Sequence, residues 1–415
     1  QKYKLDIEFP NEGKAAITVE LGDDDKEITI NSTGIVNEQK PFESKSSIQA
    51  KLKFDSISGD LMVLGVGDDG VIYEFDKELE KYTLIYGHKS KDKKIPIPNA
   101  FAWNGKDRFV LVGSKDKNEH IQSLTSNDGI GWKELSSISD TKGKGFSYVL
   151  WAEEEKKFYA TNTKEGGGSG SGHIFYMDEY GSQWKDFEPS NNSFKVEKLA
   201  QGNNIIVGIS ENKNSQITYF KVENNKWQDK TINGFGMKGV YNAITYGKGE
   251  GGNNGRFVIV GNEQSTSYPI FIYSDDGINW LKGEQVNPMS GINYKLNDVK
   301  WTGEIFVAIG DAGTIYSSID GEKWYGFPRR DIIKDDKLIG WGNYSNVSGK
   351  GNYIVAYSRN IDTSRSLVST YGGRTWTEKN LVDANGIPMK LKDIIVVNKG
   401  NSSFGPENFK IQWSK

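Results

Sequence analysis

The 415-residue chain contains no cysteine, which excludes a disulfide framework, thiol catalysis and cysteine-ligated zinc or iron–sulfur centres. Histidine is nearly as scarce: His88, His120 and His173 stand far apart, without metal-ligand spacing. Proline numbers only 10, and no run of 18 apolar residues occurs, so nothing reads as a membrane-spanning helix. A surplus of one charge is missing too. Lys+Arg 52 against Asp+Glu 55 gives a net charge of −3, so no global field draws the chain to nucleic acid. Glycine, at 48, and aromatic residues, at 12%, are what the chain has in quantity. Many short strands joined by glycine turns have that composition, and helical proteins do not. No cofactor or metal is expected.

A short apolar strand ending in a small residue recurs along the chain. It appears as Asp60–Gly67, Arg108–Gly113, Lys157–Thr161, Asn204–Gly208, Arg256–Gly261, Glu304–Gly310 and Asn352–Tyr357, with 46 to 53 residues between successive ends. Another strand precedes each, as in Asn297–Gly303, and a third follows, as in Ile270–Ser274. A fourth begins at a tryptophan: Trp132, Trp184, Trp227, Trp280 or Trp324. Four strands per 40 to 50 residues is the arithmetic of a β-propeller blade.

The turn between strands three and four carries the most specific motif. It reads Ser126-Asn-Asp128-Gly129-Ile-Gly-Trp132, Ser274-Asp-Asp276-Gly277-Ile-Asn-Trp280 and Ser318-Ile-Asp320-Gly321-Glu-Lys-Trp324. A longer form runs from Ser369 through Tyr371 and Gly373 to Trp376, and a degraded one from Asp178 to Trp184. Ser and Asp oxygens accept turn N–H groups, Gly supplies the positive φ, and Trp folds back over the hairpin. The motif resembles the Asp-box, or BNR repeat, of sialidase-like and photosystem-assembly-factor-like propellers, over roughly residues 50–380. The resemblance implies a structural turn on the blade periphery, away from the central site. Tyr371 replaces the usual aspartate, so that turn must close without a carboxylate.

The expected fold is all-β: a single propeller of four-stranded blades, seven-bladed, or eight-bladed with the last blade closed by both termini. Residues 1–45 supply N-terminal strands as an appendage or part of a closing blade, residues 46–390 the repeats, and residues 391–415 the closing strands, Leu391–Val397 and Phe409–Trp413. Pairing strands from the two ends removes exposed edges. The run Gly166 to Gly172 is either a natural flexible loop or an engineered replacement of a longer one.

Loops from strand four to the next strand one, and from strand two to strand three, share one face, where propeller ligands usually bind. Of the seven arginines, Arg329, Arg330, Arg359 and Arg365 fall in two such loops. Their guanidinium forks suit a carboxylate, phosphate or sulfate, and Tyr268 and Tyr294 supply a stacking wall beside them. The competing reading is solvated loop charge paired with Asp331, Asp335 and Asp336. Arg108 and Arg256 occupy equivalent positions at the start of strand two and read as repeat structure. The inner-strand tryptophans Trp103, Trp151, Trp301 and Trp341 read as packing between blades, and Asp23–Asp25 and Glu153–Glu155 as solvated turns.

Sialidases need three arginines on the substrate carboxylate, a tyrosine nucleophile and an acid aspartate. The first arginine of that family sits in a Phe/Tyr-Arg-Ile-Pro motif near the N-terminus, yet no arginine precedes Arg108 here. The expected function is a non-enzymatic propeller that binds a protein or glycan through its loop-rich face, with no nucleic-acid partner. The alternative is a glycan-cleaving hydrolase of the sialidase-like or Asp-box type. The start at Gln1 suggests a removed leader, and the composition suits an exported or cell-surface bacterial protein, with a lipid anchor outside the chain as one option. A cytoplasmic propeller is the other reading.

Overall fold

The computed structural model describes residues 2–9, 13–21, 27–35 and 50–53. From 60 to 399 it describes all but 88–97, 116–119, 137, 140–142, 165–173, 188–195, 211–215, 222–225, 232–238, 249–254, 265, 288–294, 328–332, 335–336, 339–342, 359–364 and 384–385. The chain divides into two compact units, residues 1–60 with 402–415, and residues 61–401. In the first unit, Lys2–Phe9, Gly13–Leu21, Glu27–Ile35 and Ala50–Lys53 form an antiparallel meander in chain order.

The second unit is built of blades of four antiparallel strands that follow the repeat, the second and third joined into one nine-stranded sheet where Gly145 pairs with Ser114. The first blade takes its inner strand, Leu391–Lys399, from the far end of the chain and continues through Asp60–Gly67, Ile72–Phe75 and Tyr82–Tyr86. The second runs Pro98–Trp103, Phe109–Lys115, His120–Ser126 and Trp132–Glu134. The third runs Gly143–Ala152, Lys157–Lys164, Ile174–Asp178 and Lys185–Phe187. The fourth comprises Lys198–Gly202, Ile205–Ile209, Gln216–Lys221 and Lys226–Thr231. In the fifth come Gly239–Gly247, Arg256–Glu263, Pro269–Ser274 and Leu281–Lys282. The sixth has Leu296–Trp301, Phe306–Gly310, Ile315–Ser318 and Lys323–Gly326, with Glu284–Asn287 added in parallel on its outer edge. The seventh has Asn346–Lys350, Tyr353–Tyr357, Arg365–Ser369 and Thr377–Asn380.

Among the described residues, the inner strands of these blades touch one another in a closed cycle. Pro98–Trp103 meets Gly143–Ala152, which meets Lys198–Gly202, and so on through Asn346–Lys350 to Leu391–Lys399, which returns to Pro98–Trp103. Radial sheets around a common axis make this unit a β-propeller. The closing strand is Leu391–Lys399; Phe409–Trp413 and Gly166–Gly172 lie outside the described residues.

Apolar second strands fill the space between blades. Val63, Val110, Phe158, Val207, Val258, Val307 and Val355 are all fully buried, each one strand outward from the axis. The inner-strand aromatics lean on a phenylalanine at the start of the second strand, their rings tilted: Trp151 on Phe158 at 4.7 Å, Trp301 on Phe306 at 4.5 Å and Tyr246 on Phe257 at 4.7 Å. They also press on the preceding blade at glycine. A Cβ at Gly202 would meet the Tyr246 ring at 2.3 Å, and one at Gly247 would meet Trp301 at 2.3 Å. Trp341 lies outside the described residues.

Candidate functional site

The Ser-x-Asp-Gly-x-x-Trp turns are local hydrogen-bond cages. Asp128 accepts from the N–H groups of Ile130 at 2.8 Å and Gly131 at 2.7 Å, while Ser126 Oγ accepts from Gly129 N at 2.9 Å and donates to Asp128. The N–H groups of Gly131 and Ile130 hold the Asp128 carboxyl below its usual range. For Asp276 and Asp320 burial opposes that effect, yet the turn N–H groups still win. Trp132, Trp324 and Trp376 are buried, and their indoles donate to the turn carbonyls of Gly129, Gly321 and Gly373 at 2.8, 3.2 and 3.0 Å. Trp280 is equally buried, but its indole N–H has no partner. In the turn that has Tyr371, Ser369 Oγ collects the N–H groups of Tyr371 at 3.3 Å and Gly373 at 2.9 Å, while those of Gly372 and Arg374 go to the carbonyls of Asn352 and Tyr371.

Each turn is docked on the blade before it. The positive-φ glycines Gly129, Gly277 and Gly321 lie so close to the preceding second strand that a Cβ would meet Met62, Val207 and Val258 at 2.6, 2.9 and 2.7 Å. The residue that opens a second strand also reaches into the next turn. Arg256 donates to the Asp320 carbonyl at 2.9 Å while pairing with Asp275 at 2.6 Å and lying 4.3 Å from the Tyr273 ring. Arg108 donates to the Gly181 carbonyl, and Tyr353 of the seventh blade to the Lys77 carbonyl of the first at 2.7 Å. Arg108 and Arg256 therefore serve the ring and sit outside any central site.

The axis holds a channel of about 970 Å³, lined by residues of all seven inner strands. Inner strands are edge strands, so their backbone groups need partners. Side chains of the adjacent blade supply them. Asp393 Oδ2 accepts from Phe101 N at 2.8 Å, Asp298 Oδ2 from Val347 N at 3.0 Å, Thr245 Oγ1 from Trp301 N at 3.3 Å and Ser348 Oγ from Val396 N at 3.1 Å. In return the amides of Asn99, Asn242 and Asn297 donate to the carbonyls of Phe146, Leu296 and Tyr344 at 2.7, 2.6 and 2.9 Å.

One layer of this channel is charged. Lys198 of the fourth blade reaches Asp298 of the sixth at 3.4 Å, across the inner strand of the fifth. Tyr148 donates to the Leu199 carbonyl at 3.0 Å, and burial together with Asp298 and Asp393 pushes its phenol well above the ordinary range. It therefore stays a protonated donor. Sequence reasoning missed this layer because Tyr148, Lys198, Asp298 and Asp393 share no motif and meet only through ring closure. Their register one residue after Asn99, Asn242 and Asn297 in the repeat was the available signal. No group of three or more His, Cys, Asp or Glu with metal-binding geometry occurs among the described residues.

The loop residues expected to bind anions fall mostly beyond what the structure describes: Arg329, Arg330, Arg359 and Tyr294 lie outside the described residues. Arg365 opens the third strand of the seventh blade, and its Nε lies 3.3 Å from the buried Glu378 carboxylate on the neighbouring strand. Tyr268 is exposed. The run Glu153–Glu155 forms the expected turn with Glu153 and Glu154 exposed, and Glu155 is the member that departs from it. Glu154 accepts from Asn204 N of the fourth blade at 2.6 Å, and both carboxylate oxygens of Glu155 are buried without a partner. Burial pushes Glu155 up to about 6.

No protein-family model matches the chain, and no curated protein matches it. Among solved structures, YCF48 bound to a D1 peptide aligns with a TM-score of 0.48 at 13% identity, covering 71% of this chain and 86% of that one. A protein from Lactobacillus plantarum aligns at 0.46 and 10% identity, covering 82% and 97%. The GH74 xyloglucanase from Xanthomonas campestris aligns at 0.40 and 10% identity, covering 88% and 58%. The chain is an all-β protein, and the closed cycle of inner strands in residues 61–401 makes that unit a β-propeller.

Proposed function

We propose that the chain is a non-enzymatic, seven-bladed Asp-box propeller, exported or displayed at a cell surface, that binds a protein or glycan through the loop-rich face around its channel. One observation carries the reading. Asp298 and Asp393, the carboxylates of the charged layer, are already engaged by backbone N–H groups of neighbouring blades, and Asp298 by Lys198 as well. A glycosidase needs one carboxyl to move a proton and another to attack or to activate water. Carboxylates tied into the ring's hydrogen bonding serve its rigidity, and a rigid polar channel mouth suits recognition. Arg329, Arg330, Arg359, Arg365, Tyr268 and Tyr294 are the proposed contact residues.

The test is a glycan array and a peptide array run with the purified chain beside a panel of chromogenic glycosides. Retention without turnover is expected, weakened by Arg330→Ala. Cleavage that disappears in Asp298→Asn or Asp393→Asn would overturn the binding reading in favour of the hydrolase.

A further inference from the structure

The outermost strand of a blade leaves one edge of backbone N–H and C=O groups bare. Such edges invite pairing with another chain, and proteins protect them with lysine, with other charge or by covering them. Six of the outer strands follow that rule. Trp132–Glu134, Lys185–Phe187, Lys226–Thr231, Leu281–Lys282, Lys323–Gly326 and Thr377–Asn380 each contain a lysine. The sixth blade is covered as well, by the parallel strand Glu284–Asn287.

The outer strand of the first blade has no charge of its own and no cover among the described residues; its one protecting device is a shift in its pairing at Ile85, between Ile72 opposite Tyr86 and Tyr73 opposite Leu84. Tyr82–Tyr86 reads Tyr-Thr-Leu-Ile-Tyr, without a charge, a proline or a glycine, and with strong β propensity throughout. It is the terminal strand of its sheet among the described residues. Thr83 and Leu84 face solvent, Leu84 being 43% exposed. Its inner side is firmly held: Tyr82 meets Tyr73 edge-on at 5.4 Å, and Ile85 and Tyr86 pack against the core between the first two blades. The edge is therefore anchored on its inner side and uncharged.

The strand is also close to a palindrome about Leu84. If two copies pair antiparallel with Leu84 opposite Leu84, Tyr82 faces Tyr86 of the second copy and Thr83 faces Ile85 of the second copy. Aromatic and β-branched cross-strand pairs are among the favourable ones. Extending the register sets Lys81 opposite Gly87 of the second copy, so no like charges meet. The chain itself shows that an outer edge of this ring accepts an added strand, in the sixth blade.

We infer that Tyr82–Tyr86 is a self-recognition edge through which two copies of this chain join antiparallel about a two-fold axis at Leu84. The contact is isologous and short, so association is weak and depends on concentration.

The absence of cysteine gives a clean test on the full chain. In the inferred dimer, Leu84→Cys sets two thiols opposite each other with Cα atoms about 4.5–5.5 Å apart, inside the usual disulfide range. Leu281→Cys, on the exposed outer strand of the fifth blade, is the control. With oxidised glutathione, Leu84→Cys is expected to form covalent dimer about tenfold faster or more than the control, as preorganised thiols do. In sedimentation over a concentration series the wild-type chain is expected to dimerise, and Leu84→Lys to remain monomeric with unchanged melting. Equal cross-linking rates for the two cysteine variants would overturn the inference. So would unaltered association of Leu84→Lys, or a wild-type chain that stays monomeric, as it would if this edge served a foreign strand.

Discussion

Removing the Trp324 side chain tests whether the turn tryptophans hold the ring together. Trp324 is fully buried, stacked on Phe271 at 4.5 Å and tilted against Phe306 at 6.5 Å, and its indole donates to the Gly321 carbonyl. A tryptophan buries up to about 250 Å², which at about 25 cal/mol per Å² sets a ceiling near 6 kcal/mol. Measured losses for large aromatic truncations run about 3–5 kcal/mol. Losing the indole hydrogen bond strands a buried carbonyl, which costs about 1 kcal/mol more. Trp280 is the internal comparison, because it is buried alike but its indole has no partner. Trp324→Ala should therefore cost about 4–6 kcal/mol and exceed Trp280→Ala by about 1 kcal/mol. Urea unfolding followed by near-ultraviolet circular dichroism measures both, with hydrogen exchange to confirm that the fifth and sixth blades open together. A cost for Trp324→Ala below about 1 kcal/mol, the level of an exposed site, would refute the latch role.

Two further outcomes follow from buried carboxylate chemistry and from ring closure. Burial lifts Glu155 from 4.5 to about 6. At pH 4 the group is neutral in both states and costs nothing, whereas above pH 6 the fold holds a poorly solvated charge, so stability falls as pH climbs between those values. That rise corresponds to about 2 kcal/mol, which partial solvent screening cuts to about 1, so Glu155→Gln should stabilise by that amount at pH 8 and by nothing at pH 4; equal effects at both would count against it. Truncation before Leu391 removes the inner strand of the first blade and should abolish the cooperative transition in calorimetry.

The repeat was legible because its signals are local. A Ser, an Asp, a Gly and a Trp within seven residues define a turn wherever they occur, and the spacing of the strand ends gave the period. The equivalence of Arg108 and Arg256 was also visible, and their shared grip on the next turn explains it. The charged layer was not legible. Asp298 and Asp393 meet Val347 and Phe101 across blade boundaries, and the second contact spans 292 positions of sequence. Nor did the Glu284–Asn287 segment announce itself, because a parallel edge strand has no hairpin turn to mark it. Glu155 looked like one member of an acidic run, and only the packing around it separates it from Glu153 and Glu154.

The origin of the first blade's inner strand has a consequence for biosynthesis. Its other three strands, Asp60–Gly67, Ile72–Phe75 and Tyr82–Tyr86, leave the ribosome early, but Leu391–Lys399 emerges roughly three hundred residues later. At about 5–20 residues per second that delay is on the order of 15–60 seconds. Throughout it, the flank of Asp60–Gly67 that will receive the closing strand lacks that partner, while later blades can dock in sequence, each turn onto the blade already made. The nascent ring is thus an open arc with a growing end and a waiting end. The emergence of Leu391–Lys399 sets the moment at which the two can meet, so a chain stalled or terminated before it would present an unpaired strand to its surroundings.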